Sequence, residues 1–472
     1  MQHRRRSLLP RTSPPPAADR TRREKGRPGW LGFFRKLFWT WWLWLVVGVG
    51  LEAGDHGNAA VVFASVAFFC YLVAPREHIP RYGLDSKFAV HSHEFLTSIV
   101  GATGVPFLQN NKVTVLNNGA EFYPAMLEAI ANAKKTITME TYIYWAGQIG
   151  RQFALAMADR ARAGVSVKLL LDAIGSATIG KEILQILKEG GCEIAWYNRI
   201  WLRTMGHFNH RNHRKSLIVD GRVAFTGGAG IGDQWNGDAR TKKHWHDIQV
   251  HVEGPGAIGL QAGFAQNWLE TTGELVSGPG YFPPPDAAGT ISTQTILSSP
   301  RSASSAVRIM YYLSIMSARK TIYIANPYFI PDDSAVQILV EASQRGVDVK
   351  VMVAGIHNDM RISRYAGIHL YGRLLEAGIE IYEYNRTMLH QKTMVVDGIW
   401  TTIGTTNFDN RSFALDEESN VCVYDRRLAE QLESIFIEDL RSCKQVRLER
   451  WRRRGLKTRV FGATCLFLKE QI

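Results

Sequence analysis

The sequence predicts an α/β protein made of two tandem domains related by an internal repeat, preceded by a helical hairpin that crosses a membrane. Three observations predict it. Four phrases recur in the same order in the two halves of the 472-residue chain. The recurring segments alternate β-branched apolar runs with helical stretches. Two uncharged apolar runs lie near the N-terminus.

Taken from the N-terminus, residues 1–29 are rich in Arg and Pro and read as disordered. Leu37–Leu51 and Ala59–Ala74 are the two uncharged runs. The first spans about 22 Å as a helix against a hydrocarbon core of roughly 30 Å. It becomes long enough once "WLGFFRK" before it is included and Arg35 and Lys36 snorkel to the interface. Trp39, Trp41, Trp42 and Trp44 suit an interfacial belt better than a packed core, so residues 30–75 are expected to form two transmembrane helices rather than a buried hairpin. No small-x-small cleavage site follows the first run, which argues against a signal peptide. The loop "EAGDHGN" (52–58) has no Lys or Arg while both flanks do, so the positive-inside rule leaves everything after residue 75 in the cytoplasm.

The net charge of +13 resides at the ends. Residues 1–36 carry +9 and residues 441–459 carry +8, which leaves −4 for the rest. Basic ends beside apolar segments suit an anionic membrane surface, and a mildly acidic body does not suit nucleic acid. Cys70, Cys192, Cys422, Cys443 and Cys465 are scattered and show no C-x-x-C pair, which argues against a disulfide framework or a zinc site and fits a reducing compartment.

"AKKTITMETYIY" (133–144) echoes "ARKTIYIANPYFI" (318–330), "ARAGVSVKLLLDAIG" (161–175) echoes "SQRGVDVKVMVAGIH" (343–357), and "EGGCEIAWYNR" (189–199) echoes "EAGIEIYEYNR" (376–386). Each half reads as strand, helix, strand, helix, strand, with near-continuous apolar strands of the kind buried on both faces, and Gly164 as a helix stop. The expected organisation is a linker at 76–110, domains at 111–275 and 293–440 joined by the turn-rich 276–292, and a basic tail at 441–472.

The fourth echo is "HRKSLIVDG" (213–221) against "HQKTMVVDG" (390–398). Residues two apart in a strand share a face, so His213 and Lys215 are expected to point the same way, as are His390 and Lys392. Asp220-Gly221 and Asp397-Gly398 signal hairpins, and the return strands end in Gly227-Gly228 and in Gly404 to Asn407. One His–Lys pair reads as an ordinary surface pair; two in a duplicated fold read as one site. Across a pseudo-twofold axis the lysines would bind a phosphate diester, and the imidazoles could act as nucleophile and general acid.

Both phrases are similar to the H-x-K-x4-D signature of the phospholipase D superfamily, over about residues 111–425. With a membrane hairpin ahead, and with "GTTNFDNRSFALDEESN" (404–420), the layout resembles the bacterial cardiolipin synthases more than the nuclease branch. The resemblance implies two tandem phospholipase D-like α/β domains related by pseudo-twofold symmetry, at the bacterial inner membrane. The implied reaction moves a phosphatidyl group from one phosphatidylglycerol to another, giving cardiolipin and glycerol. His213 would attack phosphorus and form a phosphatidyl-histidine, while His390 would protonate the leaving alcohol and then activate the incoming one. Lys215, Lys392 and Asn407, with the strand end at Gly228, would hold the nonbridging oxygens. Asp220 and Asp397 complete the motif and are counted by the resemblance with its catalytic residues, although as hairpin residues they suit a structural role better. Glu418, 28 residues past His390, stands where the family places a carboxylate that bonds the histidine ring and fixes its tautomer; Asp247 is the counterpart in the first half. No metal and no cofactor is implied.

The first half departs from the pattern at Gly230, where an Asn is expected, which makes the site asymmetric or leaves the contact to water. His207, His210 and His213 fall three apart and invite a metal reading, but the second copy has no such neighbours. The ten-residue insertion of the first half, part of "IWLRTMGHFNHRN" (200–212), reads instead as a basic-aromatic lip over the cleft. The sequence leaves open phosphatidylethanolamine as the second lipid and hydrolysis in place of transfer. It also leaves open an inactive scaffold that binds anionic lipid, although both motifs are intact. The segment 451–468 reads equally as an interfacial helix or a solvated terminal one.

Overall fold

The duplication visible in the sequence becomes one continuous sheet. The computed structural model describes residues 88–199, 209–300 and 305–466. Apart from Ser65, the expected disordered N-terminus and the expected membrane hairpin at 30–75 lie outside the described residues, as do His207 and most of the insertion. Among the described residues no helix is long and apolar enough to cross a membrane.

From residue 88 on, the first element is α1 (His93–Thr103). The first half follows as β1 (Leu108–Asn117), α2 (Gly119–Asn132), β2 (Thr136–Thr141), α3 (Gln148–Arg162), β3 (Ser166–Asp172), α4 (Lys181–Glu189), β4 (Glu193–Tyr197), β5 (Ser216–Val219), β6 (Val223–Gly227), β7 (Ile248–Glu253) and α5 (Ala257–Thr272). The second half repeats it as β8 (Ile291–Ser298), α6 (Ala306–Ser317), β9 (Thr321–Ala325), β10 (Phe329–Ile330), α7 (Asp333–Gln344), β11 (Asp348–Ala354), α8 (Arg361–Glu376), β12 (Glu380–Tyr384), β13 (Thr393–Val396), β14 (Trp400–Gly404), β15 (Phe408–Asp409), α9 (Asn410–Ala414), β16 (Glu418–Tyr424) and α10 (Arg426–Leu440). The chain closes with β17 (Cys443–Val446), α11 (Leu448–Arg452) and α12 (Leu456–Leu466).

The 15-stranded sheet has the order β17-β12-β11-β9-β13-β14-β16-β8-β1-β7-β6-β5-β2-β3-β4. Outward from the β8–β1 seam, each side runs through the same succession of elements, which is the duplication written in hydrogen bonds. The seam itself is thin: Leu108 faces Thr293 and Asn111 faces Ile291, with an irregularity between them. Buried Asn111 stitches it by donating to the carbonyls of Leu108 (2.7 Å) and Ile291 (3.1 Å) and to the Thr293 hydroxyl (3.1 Å). Strand β2 is buried along its whole length and β3 nearly so, as parallel strands covered by helices on both faces require.

Each half keeps an apolar core of its own, and a third core is shared between them. One apolar cluster joins Ile218, Ala224 and Val250 of the first half to Val395, Ile403 and Val421 of the second, with Phe264 and Leu432 from α5 and α10. Two expectations need correction here. Part of the expected linker is α1, whose Phe95 packs against Trp400 of the second half with ring centroids 5.2 Å apart, because its Phe95 and Ile99 need apolar cover. The expected tail begins as strand β17, paired antiparallel to β12. Beyond it, Trp451 sits on Gly372, where an added Cβ would come within 2.5 Å of the ring, and Phe461 of α12 meets Tyr365 of α8 at 4.9 Å.

Candidate active site

The two histidines sit not in strands but three residues ahead of them, in the extended segments that lead into β5 and β13. Each lead-in is clamped to the other half. The His213 amide donates to the Glu417 carbonyl (3.0 Å) and the Glu417 amide to the Arg211 carbonyl (2.9 Å). Likewise the His246 amide donates to Met388 (2.8 Å) and the His390 amide to His246 (2.7 Å). These short parallel bridges bring the next side chain of each clamp onto the neighbouring ring. Glu418 meets Nδ1 of His213 at 2.9 Å, and Asp247 meets Nδ1 of His390 at 2.9 Å. Each carboxylate therefore serves the histidine of the opposite half, a crossing that spacing along one half does not reveal.

The lysines also differ from simple strand geometry. Lys215 Nζ turns back to donate to the His213 carbonyl (2.8 Å), and Lys392 Nζ does the same to His390 (2.7 Å). Both lysines are buried. Burial pulls Lys215 down to about 7 and Lys392 down to about 8. Burial and the nearby ammonium charges lower both imidazoles too, His213 well below its ordinary value and His390 less so, since Asp247 and Asp359 oppose the shift. The rings are therefore neutral at neutral pH, and each histidine–carboxylate contact is a hydrogen bond from Nδ1–H rather than an ion pair. That tautomer leaves Nε2 with its lone pair. Burial raises Glu418, and Lys215 opposes it.

Aromatic rings wall the pair: Tyr142 lies 5.2 Å from His213, with Lys215 Nζ 5.6 Å over its face. Trp235 and Trp245 each lie 5.4 Å from His390.

Support for the carboxylates is where the halves diverge. Glu418 accepts from the Thr405 hydroxyl at short range. Asp247 accepts from the Trp235 indole N–H (3.0 Å) and from the Ile248 amide (2.8 Å). Gly228, the counterpart of Thr405, has no room for a side chain: a Cβ there would meet Asp247 Oδ1 at 2.5 Å and the His390 carbonyl at 2.6 Å. Its smallness serves the Asp247–His390 contact. Gly230 is filled in the same way, since a Cβ would approach Ile143 at 2.8 Å while the Gly230 carbonyl accepts from Tyr123. The first half thus has no space for the expected Asn. On the other side, the Asn407 side-chain oxygen is buried with no hydrogen-bond partner among the described residues; being an acceptor, it leaves any bond to a phosphate oxygen to the amide's Nδ2.

Asp220 and Asp397 are elsewhere. Seven residues of extended chain put Asp220 on the order of 20 Å from His213. Both aspartates have φ of +52°. Asp220 accepts from the amides of Lys134, Lys135 and Thr136 (2.7–2.9 Å), and Asp397 from those of Arg319, Lys320 and Thr321 (2.7–3.0 Å). They fasten the hairpin to the start of β2 or β9 and do not belong with the histidines, so placing them among the catalytic residues is corrected here. Trp235 carries no sequence signal, and Thr405 is marked in the sequence only as part of the polar strand end; the fold puts both behind the carboxylates. His210, from the histidine triplet, offers its carbonyl to Asn198 (2.7 Å).

A family model described as cardiolipin synthase, PLD-like domain, matches residues 126–242 and 312–440. A cardiolipin synthase of Halalkalibacterium halodurans is 35% identical over 370 residues, 77% of this chain and 72% of the relative. Cardiolipin synthase 2 of Bacillus anthracis is 33% identical over 381 residues, 79% and 74% of the two chains. Among solved structures, phosphatidylserine synthase from Haemophilus influenzae aligns with a TM-score of 0.62 at 14% identity, over 80% of this chain and all of that one, a likeness of fold.

Proposed function

Because this chain belongs to the cardiolipin synthase family of the phospholipase D superfamily, a family of phosphatidyltransferases, we propose that its cross-clamped histidines carry a phosphatidyl group from one phosphatidylglycerol to another. The observation that supports this reading is the pair of buried imidazoles, each held at Nδ1 by a carboxylate of the other half, with a buried lysine beside each. A phosphodiester anion settling between the lysines neutralises the charge that depresses the histidines. His390, backed by Asp247 and within reach of the Asp359 charge, is the more basic ring and takes the proton. His213, left neutral, attacks through Nε2. The P–N bond forms as the bond to the glycerol oxygen breaks, and His390 gives its proton to that oxygen. The second lipid's glycerol hydroxyl then returns a proton to His390 and attacks phosphorus, and the P–N bond breaks. Lys215, Lys392 and Asn407 hold the nonbridging oxygens throughout.

In this reading residues 111–275 and 293–440 are the two phospholipase D-like units, and residues 30–75 form a transmembrane hairpin at the bacterial inner membrane with the catalytic halves in the cytoplasm. The test is the full chain in phosphatidylglycerol liposomes with chelator, beside His213→Ala and His390→Ala, with lipids followed by mass spectrometry. Cardiolipin and glycerol from the parent alone are expected. Phosphatidic acid in place of cardiolipin would make the chain a hydrolase, and no product would move the search to phosphatidylethanolamine or to the scaffold.

A further inference from the structure

Near His390 lies a polar pair that phosphate chemistry does not need. The Tyr328 hydroxyl donates to both carboxylate oxygens of Asp359, at 2.6 and 2.7 Å. Tyr328 is buried and stands edge-on to His390, with centroids 6.3 Å apart. Asp359 is exposed, and its charge acts on both His390 and Lys392. Its structural duties are small. Helix α8 starts two residues later with Met360 at its N-cap and no side-chain cap, and the Met360 amide is met by Asn358 (2.7 Å).

Among the described residues the first half has no equivalent. Tyr142, which packs on His213 as Tyr328 does on His390, lies among Asp172 and Asp416, carboxylates already paired with Arg211 and Arg411. An exposed carboxylate held by a neutral hydroxyl beside one histidine repels a phosphodiester and attracts hydroxyl donors. The groups that must sit beside a histidine acting as proton donor and acceptor are the leaving and incoming alcohols. In this reaction both are glycerol, which carries further hydroxyls beside the reacting one.

We propose that Asp359 and Tyr328 form a polyol subsite on the His390 side, which binds the spare hydroxyls of the leaving and incoming glycerol and selects a glycerol acceptor over simple alcohols. This rests on the transfer reading above and assigns its alcohol side. Asp359 accepts from the hydroxyl next to the reacting carbon, and Tyr328 fixes the carboxylate.

The test uses the full chain in phosphatidylcholine vesicles containing phosphatidylglycerol, with deuterated glycerol or ethanol as the exchanging alcohol. The ratio of kcat/KM for glycerol to that for ethanol is compared in the parent, Asp359→Asn, Tyr328→Phe and Asp359→Glu. Loss of one charge-assisted hydrogen bond predicts a fall of about tenfold in that ratio for Asp359→Asn, expressed in the KM for glycerol. Tyr328→Phe should give a smaller fall, and Asp359→Glu should restore part of the preference. An unchanged ratio in Asp359→Asn, whether both alcohols suffer equally or neither does, overturns the subsite. A parent that exchanges neither alcohol overturns the transfer reading itself, independently of the variants.

Discussion

Behind His213 the supporting groups are a hydroxyl and an ion pair; behind His390 they are an indole and a second histidine. Glu418 is backed by Thr405, and its neighbour Glu417 is locked to buried Arg214 at 2.7 Å. Asp247 is backed by Trp235, and its neighbour His246 is held by Asp439 at 2.6 Å and by Asn118 at 2.7 Å. The residue between His and Lys in each motif follows suit: Arg214 reaches Glu417, whereas Gln391 lies by His246 and Asp439 (3.4 Å to each). The imidazole–carboxylate contact is common to both sides and everything around it differs. A site of two identical halves would give its histidines identical proton affinities. In the proposed reaction, the different surroundings let one ring attack while the other handles protons.

The largest effect that could break this contrast comes from a diester with a good leaving group, such as bis(p-nitrophenyl) phosphate, which needs no proton from His390. Glu418→Gln should abolish the first-turnover burst by about 10^3-fold or more, as a wrongly oriented imidazole does. Asp247→Asn should keep the burst and stall afterwards. The reverse pattern would make His390 the nucleophile.

Next in size, Lys215→Ala and Lys392→Ala should each lower kcat/KM on the order of 10^2-fold or more with the fold intact by circular dichroism. The pH profile sharpens the same point. A lysine is charged below its pKa, so anion binding is full at low pH and fades as pH rises through about 7 for Lys215 and about 8 for Lys392. The alkaline limb of kcat/KM should therefore begin near pH 7–8. The limb of kcat should lie higher, because the bound anion raises both lysines.

Smaller still, Gly228→Ala should push Asp247 off His390 and cost roughly 10–100-fold in kcat. Thr405→Ala on the other side removes one hydrogen bond and should cost about tenfold. Least on activity, Asp397→Asn should leave kcat near the parent value while lowering stability by about 2 kcal/mol in urea titrations, since three amides lose a charged acceptor.

Much of this was legible in the residues. The repeat, the alternation of strands and helices and the His–Lys pairs are local patterns, and backbone periodicity writes them directly into the sequence. Asp-Gly predicted turns with both central residues left-handed, and Asp220 and Gly221 have φ of 52° and 63°. What stayed hidden depends on contacts between the halves. Glu418 reaches His213 across 205 residues, and no spacing rule joins them. The reason for Gly228 is a carboxylate that arrives from β7, and α1 lacks a readable partner until Trp400 closes over it.

The thin β1–β8 seam and the crossed clamps have a consequence for how the chain is made. When β1 leaves the ribosome its partner β8 is still unsynthesised, so one edge of it lies open and the shared core of the halves is half-lined. At 5–20 residues per second, the 205 residues from His213 to Glu418 take roughly 10–40 s to appear. During that interval Ile218, Ala224 and Val250 have the first half's own Phe264 beside them but lack Val395, Ile403 and Val421, which complete the cluster. The first half therefore emerges without its full apolar cover, and His213 gains the Glu417–Glu418 clamp only once the second half has been made.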